Sequence, residues 1–202
     1  MDGRADEAAW SQAAVERGFA FPWKKMPAPA TEFRGLCDDT YLYFAFRVQD
    51  ADIVALEKVE DEQDVARADR VEIFFSRDEQ MKDYYCVEMD SRGRVLDYHG
   101  HYYRQFDRKW NWAGLEVKAA AWEKGYEVEG RITLASFEAM GWPRLGPGVK
   151  VRCGLYRAEF SHGRGVGEGP KPVEDWISWI DPGTEEADFH VPWSLGWMEV
   201  EK

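Results

Sequence analysis

Long apolar runs and an excess of basic charge are missing from this 202-residue sequence, asparagine occurs only once, and each scarcity removes a class of function. No stretch approaches the roughly 18 uninterrupted apolar residues of a membrane-spanning helix, so no membrane insertion is expected. The one asparagine, Asn111, is followed by Trp112 and Ala113 and forms no N-glycosylation acceptor. With a formal net charge of -12 and dispersed Lys and Arg, nucleic acid and anionic membrane are not expected partners. Cysteine is scarce and odd in number. Cys37, Cys86 and Cys153 lack metal-binding spacing and read as small buried thiols. The opening MDGRADEAAW lacks the basic and apolar regions of a secretory signal, so the sequence itself reads as cytoplasmic unless a signal lies outside it.

Catalytic signatures are also thin. The glycine-rich GRGVGEGP has no Lys-Ser/Thr ending and no strand-to-helix setting, which excludes a phosphate-cradling loop. There is no nucleophile elbow and no histidine pair at helical spacing. His99 and His101 share a strand parity and could both ligate a metal, with no third ligand evident. Calcium would have to come from the acidic connection, through Asp50, Asp52, Asp61, Glu62 and Asp64, where no EF-hand spacing exists.

What the chain has in plenty is aromatic residues, with ten Trp, nine Tyr and eleven Phe. That exceeds what a core needs and suits a protein that stacks rings on flat apolar ligand faces. Strand patterns dominate the remainder. Thr31 to Leu36 and Tyr41 to Gln49 flank Cys37-Asp38-Asp39-Thr40 as a hairpin, and Leu115 to Trp122 and Tyr126 to Thr133 form another about Glu123-Lys124-Gly125, with Glu127, Glu129 and Arg131 expected to face out. Short helices are predicted from Asp6 to Glu16 and from Ser136 to Met140. His101 to Gly114 reads as an aromatic-basic loop and Ser161 to Pro172 as a glycine-rich one. Later strands cover Lys150 to Glu159, Asp175 to Ile180 and Trp197 to Glu201. Many short strands with little helix predict an all-β, antiparallel β-sandwich with short peripheral helices, folded as a single domain over 1–202 and expected to be a monomer.

The central run from Asp69 to Tyr98 is the most telling. Val71, Ile73 and Phe75 alternate with Glu72; Tyr85, Val87 and Met89 alternate with Glu88 and Asp90; Arg94, Leu96 and Tyr98 share the face opposite Val95 and Asp97. Carboxylates and a guanidinium inside strands can form a polar ligand site. Glu72 with Arg94 would bond sugar hydroxyls, while Trp110, Trp112, Trp176, Trp179 and Trp193, in or beside loops, would stack on sugar rings. Two other readings use the same residues. Paired carboxylates among Glu72, Glu88 and Asp97 would suit a glycoside hydrolase, and Met89 with His99 would suit haem ligation.

The order of segments resembles the family nine carbohydrate-binding modules and their DOMON-related, family-nine-like relatives. The matching pieces are DGRADEAAW, CDDTYLYFAFRVQDADI, ADRVEIFFSRDEQMKDYYCVEMDSRGRVLD, GYEVEGRITLASF, VRCGLYRAEF and FHVPWSLGWMEV, which span nearly the whole chain. The resemblance implies a noncatalytic sandwich that binds mono- or oligosaccharides of xylan or cellulose type, in polysaccharide catabolism, and a secreted or periplasmic place. It also implies two clamping rings with a Glu and an Arg. Glu72 matches the Glu and Arg94 the Arg; Trp176 and Trp179 are both candidates for the second ring. Ala66 stands where the family commonly has the first Trp, a departure for which Trp110 or Trp112 is the expected substitute. Calcium occurs in some relatives.

Overall fold

The computed structural model describes residues 1–162 and 173–201. Two antiparallel sheets pack face to face, as the strand patterning predicts. One sheet runs in the order β1 (Val15–Glu16), β2 (Thr31–Cys37), β3 (Tyr41–Gln49), β9 (Gly125–Thr133), β8 (Leu115–Trp122). The other runs β11 (Val173–Ser178), β10 (Lys150–Ser161), β4 (Arg70–Ser76), β5 (Asp83–Asp90), β6 (Val95–His101), β7 (Gln105–Asp107). A last strand, β12 (Gly196–Glu199), also pairs with β10, beyond the end of β11.

The period of two in each strand decides what faces inward. Phe44, Phe46, Val48 and Val128 from the first sheet meet Val71, Ile73, Phe75, Val87, Met89 and Leu155 from the second, all essentially sealed from water. Burying each such side chain contributes about 1.5–3 kcal/mol. The larger sheet carries a second apolar layer on its outer face. There Phe74, Tyr84, Cys86, Leu96, Tyr98 and Tyr156 lie beneath Phe189 and Leu195 of the segment preceding β12. Gly154 makes part of that layer flat, since a Cβ there would stand 2.0 Å from the Tyr156 hydroxyl.

Several elements differ from the sequence reading. The helix expected from Asp6 to Glu16 is a 3-10 turn over Ala8–Gln12 followed by β1. Among these residues Trp10 is buried while its neighbours stay exposed, so no apolar helical stripe exists to hold a longer helix. Trp10 donates from Nε1 to Glu129 Oε1 (3.3 Å), and Glu129 Oε2 accepts from the backbone of Asp2 and Gly3. Glu129 was expected to face water; this N-terminal strap covers it.

The aromatic-basic stretch from His101 to Gly114 is not all loop, because β7 pairs back onto β6. The acidic connection contains a 3-10 helix, Glu62–Arg67, whose start is capped by Asp61 accepting from the Gln63 N–H (2.8 Å). The short helix near Ser136 is present as α1 (Leu134–Ala139), ending before Gly141 at φ 90°. Most of the glycine-rich loop read at Ser161 to Pro172 lies outside the described residues.

Candidate functional site

On the outer face of the larger sheet a cavity of about 260 Å³ opens above the middle of β4, β5 and β6. Its floor follows from strand parity and register. Arg70 and Glu72 project from β4 on the face opposite Val71 and Ile73, and Glu72 stands directly across from Glu88 of β5, itself across from Leu96 of β6. Arg70 Nε contacts Glu88 Oε2 at 2.6 Å and Glu72 Oε1 at 2.9 Å, and its Nη1 donates to the Ala66 carbonyl at 2.9 Å. Tyr98 donates its hydroxyl to Glu88 Oε1 at 2.8 Å. All four side chains are buried.

The walls are aromatic. Trp176 of β11 lies with the Arg70 guanidinium 5.4 Å from its ring centre, and Phe189 packs edge-on against it. Trp23 packs on the other side of Phe189, at 5.5 Å, and anchors its Nε1 on the Thr184 carbonyl (2.7 Å). Trp23 reaches this place because Ala20 pairs with Ser178 at the sheet edge and Lys24 forms an ion pair with Asp175. Phe106, from β7, faces Tyr98. Arg104, Arg108 and Gln63 stand at the mouth, with Arg104 on Asp188 (2.8 Å) and Arg108 on the Gln63 side chain (2.6 Å).

Electrostatics follow from burial. Loss of water raises the Glu72 carboxyl well above its usual range; Glu88 adds to the rise and Arg70 opposes it. For Arg70, burial works against the charge, but Glu88 and Glu72 outweigh it and keep the guanidinium ionised. Burial likewise raises the Tyr98 phenol, which therefore remains a proton donor. His190, enclosed by Phe74, Tyr84 and Phe106, is pushed down to about 3, chiefly by burial and then by Arg104, so its imidazole is neutral at ordinary pH.

The structure gathers some of the sequence candidates here and places others elsewhere. Glu72 and Trp176 line the cavity, as does Ala66. Arg94 does not. Its Nε is held by Asp90 Oδ2 (2.5 Å) and its Nη1 by the Leu56 carbonyl (2.9 Å), so it closes the β5–β6 turn instead. Trp112 is buried in the core with Nε1 on Ser136 (3.0 Å), and Trp110 packs on Tyr85 and Trp112. Neither can replace the ring missing at position 66. Trp179 packs against the inner core, since the chain turns after Ser178, and Trp193 is exposed away from the cavity lining.

The haem and hydrolase readings fare differently from binding. Met89 is sealed within the core and His99 is stacked on Tyr85 at 4.6 Å, with core side chains filling the face between them. Asp97 faces inward and accepts from the Trp112 N–H, away from Glu72 and Glu88. Those two glutamates meet on one nitrogen of Arg70, which fills the gap where a glycosidic oxygen would need to enter.

The acidic residues of the 50–64 connection do not converge. Asp61 caps its helix, Asp64 serves the Glu60 N–H and Arg67, and Asp52 meets His162. Asp50 joins Asp69 and Glu159 in a three-carboxylate cluster near the start of β4. Asp69 gives its two oxygens to the N–H groups of Val54 and Phe160 (2.5 Å each), and the Arg157 guanidinium is paired with Glu159 and 4.0 Å from Asp50. A resident cation thus already faces these carboxylates, and the cluster fits calcium poorly.

Arg70, Trp23, Tyr98 and Phe189 line the cavity and are not among the sequence candidates. The signal for Arg70 was its parity with Glu72, two residues along the same strand. Trp23 left no local signal, because it arrives through a long-range edge contact.

The fold and site together define a β-sandwich with an aromatic-walled, charge-floored recognition cavity on one outer sheet face. The chain belongs to the family described as carbohydrate family 9 binding domain-like, whose model matches residues 1–202. Among solved structures, one from Bacteroides uniformis, provisionally assigned as a carbohydrate-binding protein, is similar at TM-score 0.76 and 20% identity, covering 100% of this chain and 93% of that one. A carbohydrate-binding module of family 9 from Caldicellulosiruptor kristjanssonii, in complex with cellotriose, is similar at TM-score 0.63 and 16% identity, with 100% and 88% covered. The same organism's module in complex with glucose aligns at TM-score 0.60 and 18% identity, with 100% and 90% covered. No curated protein matches the chain.

Proposed function

We propose that the chain is a noncatalytic carbohydrate-binding protein whose cavity takes one end of a neutral β-linked glucan or xylan fragment. The observation that carries this reading is the Arg70–Glu72–Glu88–Tyr98 network, buried beneath Trp176, Trp23 and Phe106. A sugar presents C–H faces that stack on rings and hydroxyls that bond charged planar groups, and this cavity supplies both. Its volume of about 260 Å³ lies just below the usual range of ligand pockets, roughly 300–1,000 Å³, and so suits one or two sugar units. Family membership supports the ligand class, and cellotriose and glucose in the Caldicellulosiruptor modules supply the first probes. A role in polysaccharide catabolism, as a secreted or periplasmic monomer, is the setting we attach to it.

The test is calorimetric titration with glucose, cellotriose and a xylo-oligosaccharide. Saturable binding that is weakened in Glu72→Gln and unchanged in Arg94→Ala is the expected pattern. Folded protein that binds none of the three sugars would end the reading.

A further inference from the structure

We infer that Asp83, His99 and His101 form a binding site for a divalent zinc-type metal ion, separate from the sugar cavity. The three residues lie at the rim of the inner face of the larger sheet. Asp83 is paired with His101 across β5 and β6, and Tyr85 with His99, so all three side chains share one face. Cavity residues Glu88 and Tyr98 project from the opposite face of the same strands.

The geometry resembles a metal site awaiting small adjustment. Asp83 Oδ1 lies 3.0 Å from His99 Nε2 and 2.9 Å from His101 Nδ1, and the three donor atoms fall within 4.8 Å of one another. Tetrahedral zinc with bonds of about 2.0–2.1 Å holds its ligands roughly 3.3 Å apart. The observed separations are a few tenths of an ångström short of that, which rotation of the exposed His101 ring can open. Two imidazole nitrogens and one carboxylate oxygen are a donor set for zinc or a neighbouring late first-row ion, not for calcium or magnesium.

The site is also supported from behind. The His99 ring is stacked on Tyr85 with centres 4.6 Å apart and planes 8° from parallel, and Tyr85 packs in turn on Trp112 and Trp142. The His99 and His101 rings converge, their centres 4.3 Å apart. Arg77 stands 4.0 Å from Asp83 Oδ2, the oxygen that the imidazoles do not use. His101 is half exposed, which leaves an entry path and room for a water as fourth ligand.

Zinc chloride titrated into the full chain, free of any polyhistidine tag, should bind saturably at one ion per chain. Co2+ in its place should give the visible absorption of a tetrahedral N/O site. Loss of a merely supporting residue around a metal costs roughly 10–100-fold in affinity, so His101→Ala, which removes a direct ligand, should exceed that range. The substitution is at an exposed ring, so far-UV circular dichroism should be unchanged. His162→Ala, at the exposed His162–Asp52 pair, should bind zinc as the unmodified chain does. No saturable binding, unchanged affinity in His101→Ala, or an equal loss in His162→Ala would each overturn the site.

Discussion

Two buried arginines in this sandwich have nearly the same company and opposite surroundings. Arg70 holds Glu72 and Glu88 beneath a cavity; Arg157, on the inner strand β10, faces Asp50 and Glu159 in packed protein, with Thr31 and the Gln49 carbonyl also in contact. Charge composition alone does not distinguish them. What does is the space above each. Over Arg70 there is an opening walled by rings, so the network can exchange an internal partner for a ligand hydroxyl. Over Arg157, itself fully buried, there is packed protein, so its charge serves to hold the neighbouring chain segments together. A buried ion cluster becomes a binding site only when the fold leaves room beside it.

Breaking the sealed cluster should have the largest effect on stability. Arg157→Ala leaves carboxylates buried without a cation, which costs about 3–5 kcal/mol, read as a lowered urea midpoint, with sugar affinity unchanged in whatever protein stays folded. In the open cluster the ranking reverses. Glu72→Gln keeps the shape of a carboxyl that burial already holds toward its neutral form, so stability should change little. Sugar affinity should fall by about 2–10-fold, the loss of one hydrogen bond worth roughly 0.5–1.5 kcal/mol.

His190 gives the comparison a pH axis. Its folded pKa of about 3 lies below the unfolded value near 6.5, so the neutral ring favours folding above pH 6.5. That contribution is lost as pH falls from 6.5 toward 3, by at most about 1.4 kcal/mol per pH unit. Denaturation of His190→Gln over pH 4–7 should therefore show a shallower acid-side slope than the unmodified chain. Trp176→Ala should weaken sugar binding by about 0.5–1.5 kcal/mol from lost ring stacking, beyond lost contact area, whereas Trp179→Ala should act on stability alone. Smallest of all is Arg94→Ala, expected to leave calorimetric sugar affinity unmoved.

Much of the fold could be read from alternation. The faces of β4, β5 and β6 follow directly from Val71-Glu72-Ile73 and its neighbours, because strand period is fixed by covalent geometry. Glu72 was legible for the same reason. Arg94 was misread because parity gives a face and not a position along it: the residue sits at the turn, where Asp90 captures it. Trp110 and Trp112 do lie in the loop between β7 and β8, but they pack on the core, a direction that nothing local announces. Trp23 was invisible, since its place depends on Ala20 meeting Ser178 across more than 150 residues of chain. Glu129 was read as solvated because its cover comes from the far end of the sequence.

That cover has a mechanical consequence. Asp2, Gly3 and Trp10 are fastened to Glu129 on the outer face of the smaller sheet, while Trp23 forms a wall of the cavity on the outer face of the larger one. The twelve residues between Trp10 and Trp23 run over the sandwich edge through β1 and the Ala20 bridge. The leading segment is thus a tether joining the two outer surfaces, so one stretch of chain both covers Glu129 and supplies a ring that lines the cavity.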